Sequence, residues 1–363
     1  MATNKNQHYV PRIYLKSFTQ NKENLAINLL NLDRRRTING APVKNQCSGD
    51  YFYGKDASLE SMIQAVERNY SSIVSRVHDS HYILTEKDRE ILREFMLFQH
   101  MRTEAASRRS VEMFAGMEKS IKAPLPELTP SIKEAVQIAM RIFFNKRFIL
   151  DDLKVCLVKN KTSMPFITSD DPSVIANRWH QGKQKLHSIS PGLLSAGLLV
   201  FLPLSPKILC IAYDGDVYSI SNENGWSEVK NRKDVAAFNE QQFLNAVANV
   251  YFRDWEHESW VLTSYDAIKD RRIACRHRVN YAIFDGFENG HKIYRVVDTH
   301  DVEPHQQALV HTQTLSPEPH SWPSQLKWRR KGFVYTNGTG EGYVRIAKIS
   351  NTNKRYKKEP SGY

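Results

Sequence analysis

Residues 198–213 read LLVFLPLSPKILCIAY, two apolar runs separated by a Ser-Pro-Lys connection at 205–207. Short apolar runs that contain β-branched and aromatic residues and flank a turn are typical of a β-hairpin. We therefore predict antiparallel strands over 198–204 and 208–213. The apolar stretch from residue 193 to residue 204 is too short to span a bilayer and is interrupted by Gly197 and Pro203, so no membrane association is expected.

Further strands are predicted on either side of this hairpin. Residues 25–32 alternate in polarity, and 155–158 with 166–168 have the pattern of a second hairpin across 160–164. Asn239 is predicted to cap a helix that runs to about Phe252. Beyond residue 274, strands are predicted over 279–284, 292–297, 333–336 and 342–348.

Helices are predicted ahead of the sheet. Ser58 is a candidate N-cap for a helix over 59–77, in which apolar residues recur at three-to-four spacing. Thr85 with Asp88 resembles a capping box that opens a long helix to about Lys119. After a proline-rich linker at 123–130, Ser131 starts a third helix.

Helices and strands are thus segregated along the chain, which favours an α+β fold over a doubly wound one. We predict an N-terminal helical half packed on a largely antiparallel sheet, with a small β-rich basic C-terminal appendage. The expected boundaries are a core over 1–275 (helical part 58–150, sheet part 151–255), the appendage over 276–348 and a disordered basic tail over 349–363.

Positive charge is concentrated at the C-terminal end. The formal net charge is +12, and residues 327–363 hold ten Lys or Arg against two acidic residues, a net charge of +8. Trp322, Trp328 and Tyr356 are interleaved with these cations, a pattern typical of single-strand nucleic-acid binding. The candidate contacts are Lys327, Arg329, Arg330 and Lys331. The alternative is a tail that only increases solubility.

Several classes of protein are excluded by the motifs. The four cysteines are far apart and form no C-x-x-C pair, so we expect neither a structural zinc site nor a disulfide framework. Free, scattered thiols instead indicate a reducing, cytoplasmic location. The chain has no G-x-x-x-x-G-K-[ST] phosphate loop and no G-x-S-x-G elbow. The oligomeric state is left open.

The first candidate site is QHYVPR at residues 7–12. Pro11 favours an extended Val10, so His8 projects to the side opposite Tyr9. His8 is a candidate general base or metal ligand, and Arg12 a candidate phosphate ligand, with Gln7 as a substrate contact. Alternatively, His8 and Arg12 hydrogen-bond buried carbonyl groups.

The second candidate is TSDDP at residues 168–172. Carboxylates at the end of a strand suit a divalent cation, so Asp170, with Glu60 as a second ligand, is predicted to hold Mg²⁺ or Mn²⁺, and Ser169 to contact substrate. Alternatively, the aspartates accept backbone N–H groups in an Asx turn, and Glu60 interacts only with its helix dipole.

The third candidate is the pair Gln99 and Arg102, three residues apart on one helix face together with Phe95 and Leu92. Both polar groups are therefore predicted to point inward. A buried Arg needs an acidic partner or an anion. Arg102 is expected either to pair with Asp170 or Glu60, or to stabilise charge on a scissile phosphate with Gln99 as a substrate contact.

Q-H-Y-V-P-R-x-Y-L-x-x-F at 7–18 resembles the opening signature of an uncharacterised bacterial domain-of-unknown-function family. Four later blocks are similar in order: Phe52 with SLE at 58–60, FQHMRT at 98–103, FITSDDP at 166–172 and FLPLSP at 201–206. Asp171 stands where the family has Asn, and Leu202 interrupts the last block. The resemblance covers about residues 6–285, and it implies a role in anti-phage defence, because similar proteins act as defence factors.

The combined hypothesis is a bacterial anti-phage effector that cleaves DNA or RNA with metal assistance. His8 and Asp170 would act at the metal, Arg12 and Arg102 would neutralise the phosphate, and the basic end would supply non-specific affinity. The alternative is a non-enzymatic protein that binds nucleic acid or senses a phage component, in which the motifs have a structural role. A third possibility is an enzyme that acts on free nucleotides.

Overall fold

The computed structural model describes residues 5–20, 23, 25–79, 82–121, 128–183, 186, 190–288, 290–298, 307–350 and 356–362. Its helices are α1 (Arg12–Leu15), α2 (Ala57–Val74), α3 (Glu86–Arg102), α4 (Glu104–Ser120), α5 (Ile132–Lys146), α6 (Arg178–Gln181), α7 (Arg232–Asn245), α8 (Glu258–Ile268) and α9 (Ile346–Ser350). Within the part of the chain that is described, none of them has the length and apolar character needed to cross a bilayer.

Local capping explains where these helices begin. Thr85 with Asp88 and Ser131 with Glu134 both form the complete capping box, which confirms the predicted starts of α3 and α5. The predicted Ser58 cap is wrong, because the Asp56 side chain accepts the N–H groups that open α2. The single long helix predicted up to about residue 119 is also wrong.

That long helix is divided at Thr103, which has extended backbone angles. Thr103 ends α3 and caps α4, since its Oγ1 accepts a hydrogen bond from Ala106 N at 3.1 Å. A threonine cap supplies an acceptor that the first turn of a helix otherwise lacks. The chain therefore changes direction between α3 and α4.

Within the described residues, the strands form six separate sheets. They are β1 (Asn6–His8), β2 (Ala26–Asn31), β3 (Arg36–Pro42), β4 (Ser48–Asp50), β5 (Lys154–Asn160), β6 (Thr168–Ser169), β7 (Val174–Ala176), β8 (Leu199–Ser205), β9 (Ile208–Tyr213), β10 (Tyr218–Ser219), β11 (Trp226–Val229), β12 (Asn249–Phe252), β13 (His277–Glu288), β14 (His291–Val296), β15 (Ala308–Thr314), β16 (Lys327–Trp328), β17 (Phe333–Thr336), β18 (Tyr343–Val344) and β19 (Lys357–Pro360).

The central sheet has the order β11-β5-β9-β8-β7 and is antiparallel except for the β11–β5 pair. Its β8–β9 hairpin is the one predicted from residues 198–213. The second predicted hairpin is wrong: β5 pairs with β9 and β11, whereas β6 pairs with β12 in a second sheet of order β3-β2-β12-β6.

Two cores lie on opposite faces of the central sheet, since its strand residues alternate between them. On one face, Val200 and Leu202 pack with Phe95 of α3 and Phe143 of α5. On the other face, the strand residues pack with Phe238 of α7 and with C-terminal residues, the members of this cluster including Leu199, Phe201, Ile211, Trp179, Leu326 and Val334. The architecture is α+β, as predicted.

The C-terminal region does not form one appendage. Strands β14-β13-β15 make a sheet that lies against α4, where Gly116 faces Val279. Strand β16 instead pairs with β10, and the β18-β17-β19 sheet adds to the second core. The predicted disordered tail is wrong for residues 356–362, because β19 pairs with β17, and residues 351–355 of that prediction lie outside the described residues.

Candidate functional site

The N-terminal motif begins as strand β1, which pairs with β4. Gln7 is buried, and its side chain holds the turn after β4. Its Oε1 accepts a hydrogen bond from Tyr53 N at 2.7 Å, and its Nε2 donates to Gly54 O at 3.2 Å. Both polar atoms of the Gln7 amide thus form hydrogen bonds with main-chain groups, so the side chain is not placed to contact a substrate.

Arg102 lies at the centre of this region and is 1 % exposed. Its Nη1 donates to Glu67 Oε1 at 2.7 Å, Nε to the Tyr53 hydroxyl at 2.7 Å, and Nη2 to the His8 carbonyl oxygen at 2.6 Å. The guanidinium also lies 4.3 Å from the Phe98 ring centroid. Every nitrogen has a protein acceptor, so Arg102 joins α2, α3 and β1 instead of facing a phosphate.

The acidic partner of Arg102 is therefore Glu67, not Glu60 or Asp170 as predicted. Gln99, one turn earlier on α3, is fully buried, and its Nε2 donates to Tyr9 O at 2.9 Å. The prediction that both Gln99 and Arg102 point inward is confirmed. Together these side chains fix the β1–α1 segment to α3.

His8 and Arg12 are more accessible to solvent than the buried side chains of Gln7, Gln99 and Arg102. Arg12 is exposed at the start of α1, and the half-buried imidazole of His8 has its Nε2 without a hydrogen-bond partner among the described residues. Burial, followed by the charges of Arg12 and Arg102, lowers the pKa of His8 to about 4. His8 is therefore neutral at neutral pH, and its contribution to the fold is made by its carbonyl oxygen.

The Asp170 carboxylate accepts hydrogen bonds from backbone N–H groups at the start of β12. Its Oδ1 accepts from Val247 N at 3.0 Å, and its Oδ2 accepts from Ala248 N at 2.7 Å and Asn249 N at 3.0 Å. Burial raises the pKa of Asp170 to about 6, and these three hydrogen bonds act in the opposite direction. The carboxylate thus holds the α7–β12 turn against β6.

Asp171 is completely buried and is also fully paired. Its Oδ2 accepts from Arg109 Nη1 at 2.6 Å and from Asn245 Nδ2 at 2.9 Å, and its Oδ1 accepts from Thr103 Oγ1 at 2.8 Å. One carboxylate therefore ties the α3–α4 junction to the end of α7. Sequence reasoning did not identify Arg109 or Asn245 as members of this network.

Helix α7 supplies a row of amide side chains to the same region. Asn239 accepts from Ile167 N, Gln242 accepts from the Ser169 hydroxyl, and Asn245 donates to the Asp171 carbonyl oxygen. The prediction that Asn239 caps a helix is wrong, since Asn231 caps α7 and Asn239 lies in its middle. The spacing of three residues between these amides was the signal that could have identified them.

The residues expected to hold Mg²⁺ or Mn²⁺ do not fit that role. Both oxygens of Asp170 already accept N–H groups, and Glu60 lies buried in the first turn of α2. Among the residues that the structure describes, no group of three or more His, Cys, Asp or Glu side chains could hold a metal ion. Divalent cations need several free oxygen ligands, which this arrangement does not offer.

The C-terminal cations differ in availability. Lys327, Arg330 and Lys331 are exposed, whereas Arg329 pairs with Asp216 at 3.1 Å. The aromatic residues expected to stack on bases have other contacts: Trp322 lies against Phe201, Trp328 stacks on Tyr218 and the Tyr356 hydroxyl donates to Glu341. The charges are thus available to a ligand, but the predicted stacking platform is not.

The protein is thus of the α+β class. Buried polar side chains hold together its N-terminal segment, the α3–α4 junction and the turn at residues 168–172. The chain belongs to DUF4238, a family of proteins of unknown function, which matches residues 6–256. The match ends before β13 and short of the residue 285 expected from the motifs. No curated protein and no solved structure matches the chain.

Replacing His100 by asparagine should make the free energy of unfolding less dependent on pH. Burial, followed by the Arg109 charge, lowers the pKa of His100 to about 4 from its ordinary value of 6.5. As pH falls below 6.5, the unfolded chain takes up a proton at this residue while the folded chain does not, so stability is lost down to about pH 4. Urea unfolding of wild type and variant at several pH values from about 7.5 to about 4.5 measures the difference.

Because Asp170 has a raised pKa and acts in the opposite sense, the variant and the wild type are compared with each other at each pH. An equal loss of stability on acidification in both proteins would contradict the prediction.

Proposed function

We propose that the protein is a non-enzymatic nucleic-acid-binding protein that acts in anti-phage defence. The observation that supports the binding role is a set of exposed cations near the C-terminal end for which the described residues provide no ion-pair partner. We call this set the basic C-terminal surface; it consists of Lys327, Arg330, Lys331 and Lys357. The resemblance of the sequence motifs to defence proteins supports the biological role.

The basic C-terminal surface is built on ordered main chain. Strand β19 runs antiparallel to β17, with Lys357 opposite Thr336, and Ser361 N donates to Gly332 O beside Lys331 at 2.8 Å. At about 3.3 Å per residue, the cations at the two ends of this strand pair are separated by about 15 Å. Phosphates of one strand recur about every 3.4 Å along a duplex axis, so the surface can contact several of them.

Two other cations among the described residues of this region are paired within the fold. Arg345 is 2 % exposed and forms a bidentate pair with Asp152 at 2.7 and 3.0 Å. Arg329 donates to Asp216 and to the Gly215 carbonyl oxygen. Among the described cations of residues 327–363, Arg329 and Arg345 therefore support the fold, whereas the exposed set is available to phosphate.

A non-enzymatic role agrees with the state of the motif residues. The buried members, Gln7, Gln99, Arg102, Ser169 and Asp170, are bonded to main chain or to neighbouring side chains, and Arg12 is exposed. A general base, a metal-binding carboxylate and two phosphate-binding guanidinium groups must share one open cleft to cleave a phosphodiester. The hydrogen bonds of the buried motif residues are made within the protein, which favours a structural role for the motifs. A phage component is proposed as the trigger.

Replacing Lys327, Arg330 and Lys331 together by alanine should weaken binding to both DNA and RNA and reduce its salt dependence. Each lost phosphate contact lowers the slope of log K against log salt by about 0.7 to 0.9, so three contacts lower it by about 2 to 3. Fluorescence anisotropy with labelled single-stranded and duplex oligonucleotides over a salt series measures this slope.

The matched control replaces Lys133, Arg141 and Lys146 by alanine, which removes the same charge from the exposed face of α5. This variant should retain the wild-type salt slope. Equal slopes for the two triple variants, or no binding by the wild type at low salt, would refute the binding role. Phage plaque counts on cells that express each protein test the defence role separately.

A further inference from the structure

A cavity separate from the basic C-terminal surface lies between the α3–α4 junction, the end of α7 and the start of β13. Its volume is about 210 Å³. The polar side chains in its wall are His100, Arg109, Asn177, Asn245, Arg276, Thr314 and Ser316. A second cavity of about 320 Å³ shares Arg109, Asn245 and Arg276 with it. The guanidinium groups of Arg109 and Arg276 therefore lie in the wall that the two cavities share.

The two arginines keep donors available on the cavity side. Arg109 uses Nη1 for Asp171, and Arg276 uses Nη2 for the Leu244 carbonyl oxygen at 2.6 Å. No other hydrogen bond of either guanidinium is formed within the described part of the chain, and none of their nitrogens is buried without a partner. The remaining N–H groups are thus open to a ligand or to water.

The charges around the cavity do not balance. Arg109 is paired with Asp171, whereas Arg276 has no ion pair with a described residue. Burial, followed by the neighbouring charges of Arg109 and then Arg272, lowers the pKa of Arg276 to about 10. Two guanidinium groups that repel each other across a cavity are stabilised by an anion that accepts hydrogen bonds from both.

Part of the wall is apolar. Ile175, Leu193, Leu198 and Leu315 lie beside the polar groups. Small-molecule sites in proteins typically combine such an apolar surface with a few convergent polar groups. A ligand with a phosphate at one end and a flat, less polar group at the other would match both parts of the wall.

We propose that these two adjoining cavities together bind a phosphate monoester of nucleotide size, with the phosphate held by Arg109 and Arg276 at their shared wall and the base against the leucine side. The same chemistry is present in a free mononucleotide and in the 5′-phosphate end of a nucleic-acid strand. This site is distinct from the phosphate-backbone contact proposed for the basic C-terminal surface.

Isothermal titration calorimetry with the full chain tests the site. The probes are a mononucleotide, the corresponding nucleoside without phosphate, inorganic phosphate, and short oligonucleotides with a 5′-phosphate or a 5′-hydroxyl. The mononucleotide should bind, and the nucleoside should bind at least about tenfold more weakly, because it lacks the charged acceptor. Tighter binding of the 5′-phosphate than of the 5′-hydroxyl oligonucleotide, measured in the triple alanine variant of the basic C-terminal surface, would assign the strand end as the ligand.

Two variants remove the site in different ways. Arg276→Gln deletes one guanidinium and should weaken mononucleotide binding by about tenfold or more. Gly192→Phe leaves both arginines in place and adds a ring at the cavity wall, where a Cβ would meet no atom within 4 Å. It should also weaken binding, and Arg295→Gln, which alters an exposed arginine of β14, should not.

The triple alanine variant of the basic C-terminal surface should bind the mononucleotide as the wild type does, so the two proposals can fail independently. Absence of binding by every phosphate-bearing probe to the folded wild type would overturn the site. Wild-type affinity in both Arg276→Gln and Gly192→Phe would also overturn it.

Discussion

Replacing Arg102 by methionine should lower the free energy of unfolding by about 3 to 5 kcal/mol. The substitution keeps the side-chain volume but removes the donors to Glu67, the Tyr53 hydroxyl and the His8 carbonyl oxygen. Removing one partner of a buried ion pair leaves the other uncompensated, and each unpaired neutral acceptor adds to the loss. Urea unfolding followed by circular dichroism measures the change.

Two further variants separate this effect from a simple loss of charge. Arg102→Lys retains the charge but cannot donate in three directions from one plane, so it should recover only part of the lost stability. Arg12→Met removes an exposed guanidinium from the same motif region and should change stability by less than about 0.5 kcal/mol. An Arg102→Met protein as stable as the Arg12→Met protein would contradict the structural role.

Replacing Asp171 by alanine should lower the free energy of unfolding by a similar amount, about 3 to 5 kcal/mol. The carboxylate is 0 % exposed, while its partner Arg109 is 18 % exposed in its side chain. Its removal leaves that guanidinium and the Thr103 hydroxyl without this acceptor, while Asn245 Nδ2 keeps its hydrogen bond to the main-chain carbonyl oxygen of residue 171. The contact between the α3–α4 junction and α7 should therefore weaken. Urea unfolding again provides the measurement.

Asp171→Asn should lose less stability than Asp171→Ala, since an amide oxygen can still accept from Thr103 or Asn245 but carries no charge for Arg109. The exposed Asp33 is the matched control, and Asp33→Ala should be close to neutral. Stability that is insensitive to both Asp171 substitutions would show that the ion pair does not support the fold.

The elements predicted correctly from the sequence are those that depend on neighbouring residues. The β8–β9 hairpin and the capping boxes of α3 and α5 are encoded within a few positions of one another. The predicted β5–β6 hairpin failed because β6 pairs with β12, about 80 residues further along the chain. Nothing local to residues 155–168 distinguishes a turn from a connection between two sheets.

The candidate site shows the same limit. The helix face of Gln99 and Arg102 could be predicted from periodicity, but the partner could not, because Glu60 and Glu67 are two turns apart on one face of α2. Asn239 was wrongly predicted to be an N-cap because the residue types that cap helices also form hydrogen bonds with the backbone of buried loops. Here Asn239 accepts a hydrogen bond from Ile167 N. A sequence motif can indicate that polar groups are needed without showing whether water reaches them.

Native-state hydrogen exchange at Val247, Ala248 and Asn249 tests most directly whether the motif residues are sealed in the fold. These amides donate to Asp170, so they should exchange far more slowly than the amides of a solvated loop. Exchange at the rate of a solvated loop would mean that Asp170 lies in an open site, and the structural role given to the motifs would then be wrong.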